Sequence, residues 1–141
     1  MSETKQHLNQ FPETLAVVQL PPGAEIPAWA EASSIFSITA TATETSLVCA
    51  RRSVPKKVTQ QGPFTAFEVK GPLDFALTGV LYELLTPLVE DEISVFTIST
   101  YGTDWLLVAV NDAEAAAEGW RRRGHTVAPA VPVKPHKQEK K

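Results

Sequence analysis

Two stretches of the chain share one pattern: SVFTISTYGTDWLLVAV at residues 94–110 and SIFSITATATETSLVCA at residues 34–50. They align without a gap at a spacing of 60 residues, which pairs Phe36 with Phe96, Thr43 with Thr103 and Glu44 with Asp104. In each stretch two runs of apolar and β-branched residues flank a short polar segment, the pattern of a β-hairpin. The repetition predicts two modules built around the same strand–turn–strand unit.

The residues around the second copy predict the order strand, helix, strand, strand, helix, strand. Strands are predicted at 64–71, 93–100, 105–110 and 125–128, and a helix is predicted from Asp112 as N-cap to Gly124 as C-cap. The other helix is predicted from apolar residues at steps of three and four, namely Leu73, Leu77, Val80, Leu81, Leu84, Leu85 and Leu88. This order indicates an α+β, ferredoxin-like βαββαβ module, with an antiparallel sheet and helices on one face.

The first half repeats the order in a shortened form. Strands are predicted at 14–20, 34–41 and 46–51, with a short helix at 27–32. A polar loop, RRSVPKKVTQQGP at 51–63, separates the halves. The sequence therefore predicts a flexible N-terminus at 1–12, a first, incomplete module at 13–62, a second module at 63–128 and a disordered tail at 129–141.

Composition narrows the classes of function. The net charge of −3 argues against general attraction to nucleic acid, and the basic groups at 51–57, at 121–123 and in the tail are interpreted as solvated surface. No apolar run approaches the roughly 20 residues that span a bilayer, and the start lacks the pattern of a signal peptide. With one cysteine, Cys49, these features predict a cytoplasmic protein without nucleic-acid or membrane partners.

The sequence does not favour an enzyme. It contains no GxGxxG, GxxxxGK[ST], HExxH or GxSxG motif. His7 and His136 fall in predicted tails, His125 in a predicted strand edge and Cys49 in a predicted strand core. We therefore expect no catalytic residues, no metal site and no cofactor.

The segments GPLDFALTGVL at 71–81 and ISVFTISTYGTDWLLV at 93–108 resemble ACT-domain proteins of the CASTOR type and small microbial proteins with a similar tandem ACT pair. The resemblance extends from about residue 14 to residue 127. It implies tandem ferredoxin-like ACT modules and a regulatory, ligand-sensing function, in which an amino acid or a similar effector binds at a module interface. CASTOR-type proteins sense arginine and act through protein contacts, so the resemblance also implies a possible protein partner.

Matched residue by residue, the resemblance implies a ligand site. Strand-end contacts would come from Ser94 and Val95, and contacts of the ST-aromatic-x-x-D element from Thr100, Tyr101 and Asp104. The strand–helix loop would contribute Leu73, Asp74 and Phe75. The animal sensors carry an acidic residue early in this helix and four modules in one chain. Between Asp74 and Glu83 the sequence has no acidic residue at or beside Leu77, so arginine is not specified. With at most two modules, a comparable cleft needs a homodimer.

The residue chemistry suits an amino acid. The Asp104 carboxylate can pair with an ammonium or guanidinium group, Tyr101 can stack or hydrogen-bond, and N–H groups at the helix start after Gly71-Pro72 can hold a carboxylate. Two other interpretations stay open. YGTDW is also the composition of a simple hairpin turn, and an ACT surface can serve for dimerisation and protein interaction without a ligand.

Overall fold

The computed structural model describes residues 5–70 and 79–130. These residues form two compact units: the N-terminal unit, residues 13–64, and the C-terminal unit, made of the described residues up to 12 and from 65 onward. The strands are β1 (His7–Gln10), β2 (Leu15–Leu20), β3 (Ser37–Ala40), β4 (Thr45–Ala50), β5 (Gln60–Val69), β6 (Phe96–Ser99), β7 (Asp104–Ala109) and β8 (Thr126–Ala128), and the helices are α1 (Val80–Glu90) and α2 (Ala113–Arg122). Residues 60–64 of β5 belong to the N-terminal unit and residues 65–69 to the C-terminal unit.

The N-terminal unit has the strand order of a ferredoxin-like module, β3-β4-β2-β5, with all pairs antiparallel. Short 3₁₀ helices, Ala28–Ala32 and Arg51–Ser53, stand where a full module has α-helices. The first ends at Ser33, whose hydroxyl donates to the Ala30 carbonyl at 2.9 Å and accepts the Ala50 N–H at 2.7 Å. The predicted short helix is therefore a short 3₁₀ helix whose C-terminal end is hydrogen-bonded to β4 through Ser33.

The C-terminal unit confirms the predicted α+β class. Its strand order is β6-β7-β5-β1-β8, and α1 and α2 pack on the sheet around one apolar cluster. Trp120 of α2 lies at the centre of that cluster, with its ring 5.0 Å from the Phe67 ring of β5 and its indole N–H donating to the Leu84 carbonyl of α1 at 2.8 Å. The predicted stripe holds for the described part of α1, where Leu84 and Leu88 are fully buried. Leu73 and Leu77 lie outside the described residues.

Ion pairs join the ends of the two helices. Arg123 binds both carboxylate oxygens of Glu90 at 2.7 Å, and Arg122 lies 3.3 Å from Asp91. Two of the three arginines at 121–123, which the sequence suggested were solvated surface, thus pair with acids at the end of α1. These pairs are largely exposed, so each contributes little to the free energy of unfolding.

Residues 7–10, which the sequence analysis assigned to a flexible N-terminus, form β1. This strand lies between β5 and β8, antiparallel to β5 and parallel to β8. Its side chains alternate: Leu8 is 1% exposed, whereas His7 and Asn9 are exposed. A single apolar residue in a four-residue strand is too short a signal for periodicity to detect.

The two hairpins are equivalent in the structure, but at an offset of 59 residues. Ser37 faces Val48 and Ala40 faces Thr45, as Phe96 faces Leu107 and Ser99 faces Asp104. The gapless alignment at 60 was wrong by one residue, and Thr45, not Glu44, corresponds to Asp104. The physical reason is that β4 and β7 each contain consecutive buried residues. Shifting the sequence alignment by one residue therefore still matches apolar residues of one strand with apolar residues of the other.

Among residues 5–70 and 79–130, neither α-helix is long and apolar enough to cross a membrane.

Candidate functional site

The turn at residues 100–103 joins β6 to β7 and carries the predicted ST-aromatic-x-x-D element. Its ends are closed by a hydrogen bond from the Thr100 N–H to the Thr103 carbonyl at 2.8 Å. The Thr100 hydroxyl also donates to that carbonyl at 3.1 Å and accepts the Thr103 N–H at 3.2 Å. Both the backbone and the side chain of Thr100 therefore build the turn.

The turn at residues 41–44 has the same bonds. The Thr41 N–H donates to the Glu44 carbonyl at 2.8 Å, and the Thr41 hydroxyl donates to that carbonyl at 3.3 Å and accepts the Glu44 N–H at 3.1 Å. Thr41 and Thr100 are 59 residues apart, as the strand pairing requires. The hydrogen bonds of Thr41 and Thr100 thus close the turn in the same way in both hairpins.

A carboxylate at the last residue pair before the turn distinguishes the second hairpin, since the carboxylate of the first hairpin, Glu44, belongs to the turn itself. The Ser99 hydroxyl donates to Asp104 Oδ1 at 2.7 Å across the last residue pair before the turn. The equivalent pair in the first hairpin is Ala40 and Thr45, which offers no charge. Within the described residues Ser99 is the hydrogen-bond partner of this half-buried carboxylate, so Asp104 retains acceptor capacity that closing the turn does not use.

Tyr101 precedes Asp104 by three residues and is 94% exposed. The corresponding residue of the first turn is Ala42, so the aromatic ring is a second difference between the two turns. An exposed tyrosine ring offers an apolar surface and a hydroxyl to a bound cation or amine.

Thr103 connects the turn to the end of β5. Its hydroxyl donates to the carbonyl of Val69, the last residue of that strand. Leu73, Asp74 and Phe75 follow Val69 by only a few residues but lie outside the described residues. Sequence reasoning did not name Ser99, and for Thr103 it left a turn role and a ligand role equally open.

Ser94 and Val95 lie at the opposite end of β6 from the turn. Val95 packs against the apolar cluster and Ser94 is exposed. At roughly 3.3 Å per residue along the extended strand, Val95 lies about 16 Å and Ser94 about 20 Å from Thr100. The structure therefore places Thr100, Tyr101 and Asp104 at the turn end of the β6–β7 hairpin and Ser94 and Val95 at its other end.

The described start of α1 offers donors but no side-chain cap. Gly79 precedes the helix with a φ of 83°, and no side chain bonds the first N–H groups. The helix start that the sequence placed after Gly71-Pro72 lies outside the described residues.

The remaining reactive side chains are dispersed. Within residues 5–70 and 79–130, no three His, Cys, Asp or Glu side chains are arranged to hold a metal ion. Burial raises the pKa of the Cys49 thiol, and the Glu13 carboxylate raises it further. His125 is buried and accepts the Gln6 N–H at 3.0 Å, and His136 lies outside the described residues.

Comparison with known proteins identifies the family and the fold of the chain. A model of the ACT domain matches residues 61–118, and a model of an N-terminal domain matches residues 13–57. The crystal structure of protein Atu0741 from Agobacterium tumefaciens is 30% identical to the chain, covers 95% of it and 100% of its own length, and superposes with a TM-score of 0.86. This chain belongs to the same family as Atu0741. No curated protein matches it.

More distant structures agree in fold. Aspartate kinase from Clostridium acetobutylicum, described as an allosteric enzyme, has a TM-score of 0.63 at 12% identity over 82% of this chain and 33% of its own. The regulatory subunit of aspartate kinase from Thermus flavus has a TM-score of 0.57 at 9% identity over 84% of this chain and 96% of its own. The Atu0741-like chain therefore has the fold of ACT regulatory domains.

We expect Thr41→Ala and Thr100→Ala to lower the free energy of unfolding by similar amounts, about 0.5–1.5 kcal/mol each, because each removes equivalent turn bonds. Urea unfolding measures both, with Thr41→Ser and Thr100→Ser as controls that keep the hydroxyl. A loss at Thr100 several times that at Thr41 would contradict a purely turn-building role.

Proposed function

We propose that this protein is a regulatory module that binds an amino acid at the turn between β6 and β7. The observation that carries the proposal is the Ser99–Asp104 pair, at 2.7 Å, in a hairpin whose internal counterpart has the uncharged pair Ala40 and Thr45 at the same place. The Asp104 carboxylate, which the equivalent position of the first hairpin lacks, and an exposed tyrosine three residues before it favour a role in binding. The ACT domain match supports the regulatory class.

The chemistry of the turn suits the cationic part of the ligand. Charge-assisted hydrogen bonds to an ammonium or guanidinium group are among the stronger polar contacts, and Ser99 already orients one oxygen of Asp104. Tyr101 would cover the ligand, and Thr100 would act by shaping the turn. For the ligand carboxylate we propose the N–H groups at the start of α1, and we propose Leu73, Asp74 and Phe75 as further ligand contacts, as the resemblance implies.

The proposed assembly is a homodimer. Ser94 and Val95 lie too far along β6 from Tyr101 and Asp104 for one amino acid to contact both groups in one chain. If both groups contact the ligand, they come from different copies. We further propose that the protein is cytoplasmic, is not an enzyme, and passes its signal to a protein partner.

The second candidate is an ACT module for dimerisation and protein interaction without a ligand. The observation that favours it is the turn network itself, since Thr100 and Thr103 already have partners within the chain.

To test the ligand, we expect one amino acid of the twenty to raise the melting temperature of the protein in a thermal-shift screen. A ligand that binds only the folded state at one hundred times its Kd adds about 2.7 kcal/mol. Asp104→Asn keeps an acceptor for Ser99 but removes the charge, so it should weaken binding by about 1–3 kcal/mol. The matched control is Glu44→Gln, which removes a carboxylate from the other turn and should leave binding unchanged.

The outcomes separate the two candidates. A hit that Asp104→Asn weakens and Glu44→Gln does not supports the amino-acid site. No shift from any amino acid would favour the interaction module, and a hit with equal affinity in Asp104→Asn would remove Asp104 from the site.

To test the assembly, we expect sedimentation at micromolar concentration to give about twice the chain mass of 15.3 kDa. A shared cleft requires two copies in solution. A monomer, with ligand and without it, would reject the two-copy site.

A further inference from the structure

Strand β8, one edge of the sheet in the C-terminal unit, is covered in part by a side chain of the same chain. The Thr126 N–H donates to the Gln6 carbonyl at 3.0 Å, so the backbone of Thr126 faces β1 and that of the next residue, Val127, faces away from the sheet. Arg121 of α2 donates to the Val127 carbonyl at 3.0 Å. A charged side chain on an edge strand is one of the ways in which proteins prevent pairing with another chain.

Strand β6 forms the other edge and lacks this protection. Among residues 5–70 and 79–130, β6 pairs with β7 and no second strand lies beside it. The Thr100 N–H donates to the Thr103 carbonyl, and since successive residues alternate, the backbone groups of Ser99 and Thr97 face outward. The stretch ISVFTISTYGT, residues 93–103, contains no charged residue and no proline. An uncharged edge of this kind is suited to pairing with another strand.

The β6 edge is complementary to itself. In an antiparallel pair of two β6 strands with a two-fold axis through Thr97, each Phe96 lies opposite Ile98 of the second copy. Phe96 is 38% exposed and Ile98 is half-buried, and both lie on one face of the strand. Pairs of an aromatic and a β-branched side chain across strands are favourable. Because the edge is uncharged, no like charges meet.

The edge strand of the N-terminal unit, β3, offers a weaker pair. By the strand register, Ile38 is the equivalent of Thr97. A two-fold axis through Ile38 sets Ser37 opposite Thr39 of the second copy, which are small polar side chains. The self-pairing of β6 therefore has apolar cross-strand contacts that the self-pairing of β3 lacks.

The same β6 pairing also joins the two separated groups of candidate site residues. With Thr97 on the axis, Val95 of one copy lies opposite Ser99 of the other, and Ser94 lies opposite Thr100. Within one copy, Ser94 and Val95 are at the far end of β6 from the turn. Pairing brings them beside the Ser99–Asp104 pair of the second copy, as the proposed two-copy site requires.

We propose that β6 is the interface between two copies of this chain, which pair antiparallel with Thr97 on the two-fold axis. The inference rests on the homodimer of the proposed function and names the surface that forms it. Each copy then contributes its turn to one ligand site and its Ser94–Val95 segment to the other.

The first test is oxidative cross-linking of the full chain. Opposite residues of a hydrogen-bonded antiparallel pair have Cα atoms about 5.5 Å apart, a distance that a disulfide spans. Thr97→Cys should form a disulfide-linked dimer at least about tenfold faster than Ile38→Cys, its matched control on β3. Ser99→Cys should also react slowly, because its two copies would lie about 13 Å apart along the strands. Cys49 is fully buried, so the wild type gives the baseline.

The second test places a charge on the axis. Thr97→Lys sets two ammonium groups opposite each other, so it should raise the dissociation constant of the dimer by about tenfold or more. Sedimentation measures this constant, with Ile38→Lys as the matched control that should behave like the wild type. Both positions are exposed on edge strands, where lysine is compatible with folding, and circular dichroism checks that each variant is folded.

The outcomes separate this inference from the proposed function. A wild-type dimer that persists in Thr97→Lys, without a fast Thr97→Cys cross-link, would overturn the β6 interface and leave the homodimer intact. Dissociation by Ile38→Lys in place of Thr97→Lys would assign the interface to β3. A wild-type monomer would overturn both the β6 interface and the two-copy site, whereas the amino-acid screen decides on the ligand independently.

Discussion

The hydrogen bond from the Thr100 N–H to the Thr103 carbonyl sets the register of β6 against β7, and the C-terminal unit depends on that register. That register points the side chains of Leu106 and Val108 into the apolar cluster, which also contains Trp120 of α2 and residues of α1. A shift of one residue would reverse every side chain of β7 and remove both from that cluster. The same register sets Ser99 opposite Asp104, so packing and the candidate site have one geometric origin.

The classes of the elements were predictable because their signals are local and repeated. The apolar stripe of α1 and the alternation around two polar turns gave the α+β class and the strand order along the chain. The register of the repeat was not predictable, because the buried runs of β4 and β7 are apolar on both faces and fit an offset of 59 or 60 equally well. β1 was not predicted because its four residues carry almost no strand pattern of their own. It is a strand because it pairs with β5 and β8.

The candidate site was predicted in part. Tyr101 and Asp104 are three residues apart in sequence, and both lie at the turn end of the β6–β7 hairpin. Ser94 and Val95 were joined to them by resemblance, but an extended strand carries these residues away from the turn. The contributions of Ser99 and Thr103 arise from contacts between strands, with Asp104 and Val69 respectively. The first hairpin serves as an internal reference. The threonine hydrogen bonds occur in both turns and close them, whereas the Ser99–Asp104 hydrogen bond occurs in the second hairpin and has no equivalent at Ala40 and Thr45.

The measurement that tests the central claim most directly is a backbone NMR titration of the full chain with an equimolar mixture of the twenty amino acids. The two equivalent hairpins provide the comparison within one molecule. We predict that amide shifts change at residues 99–104 and stay constant at residues 40–45. Equal changes in both hairpins, or changes in neither, would contradict the claim that the second turn carries a ligand site.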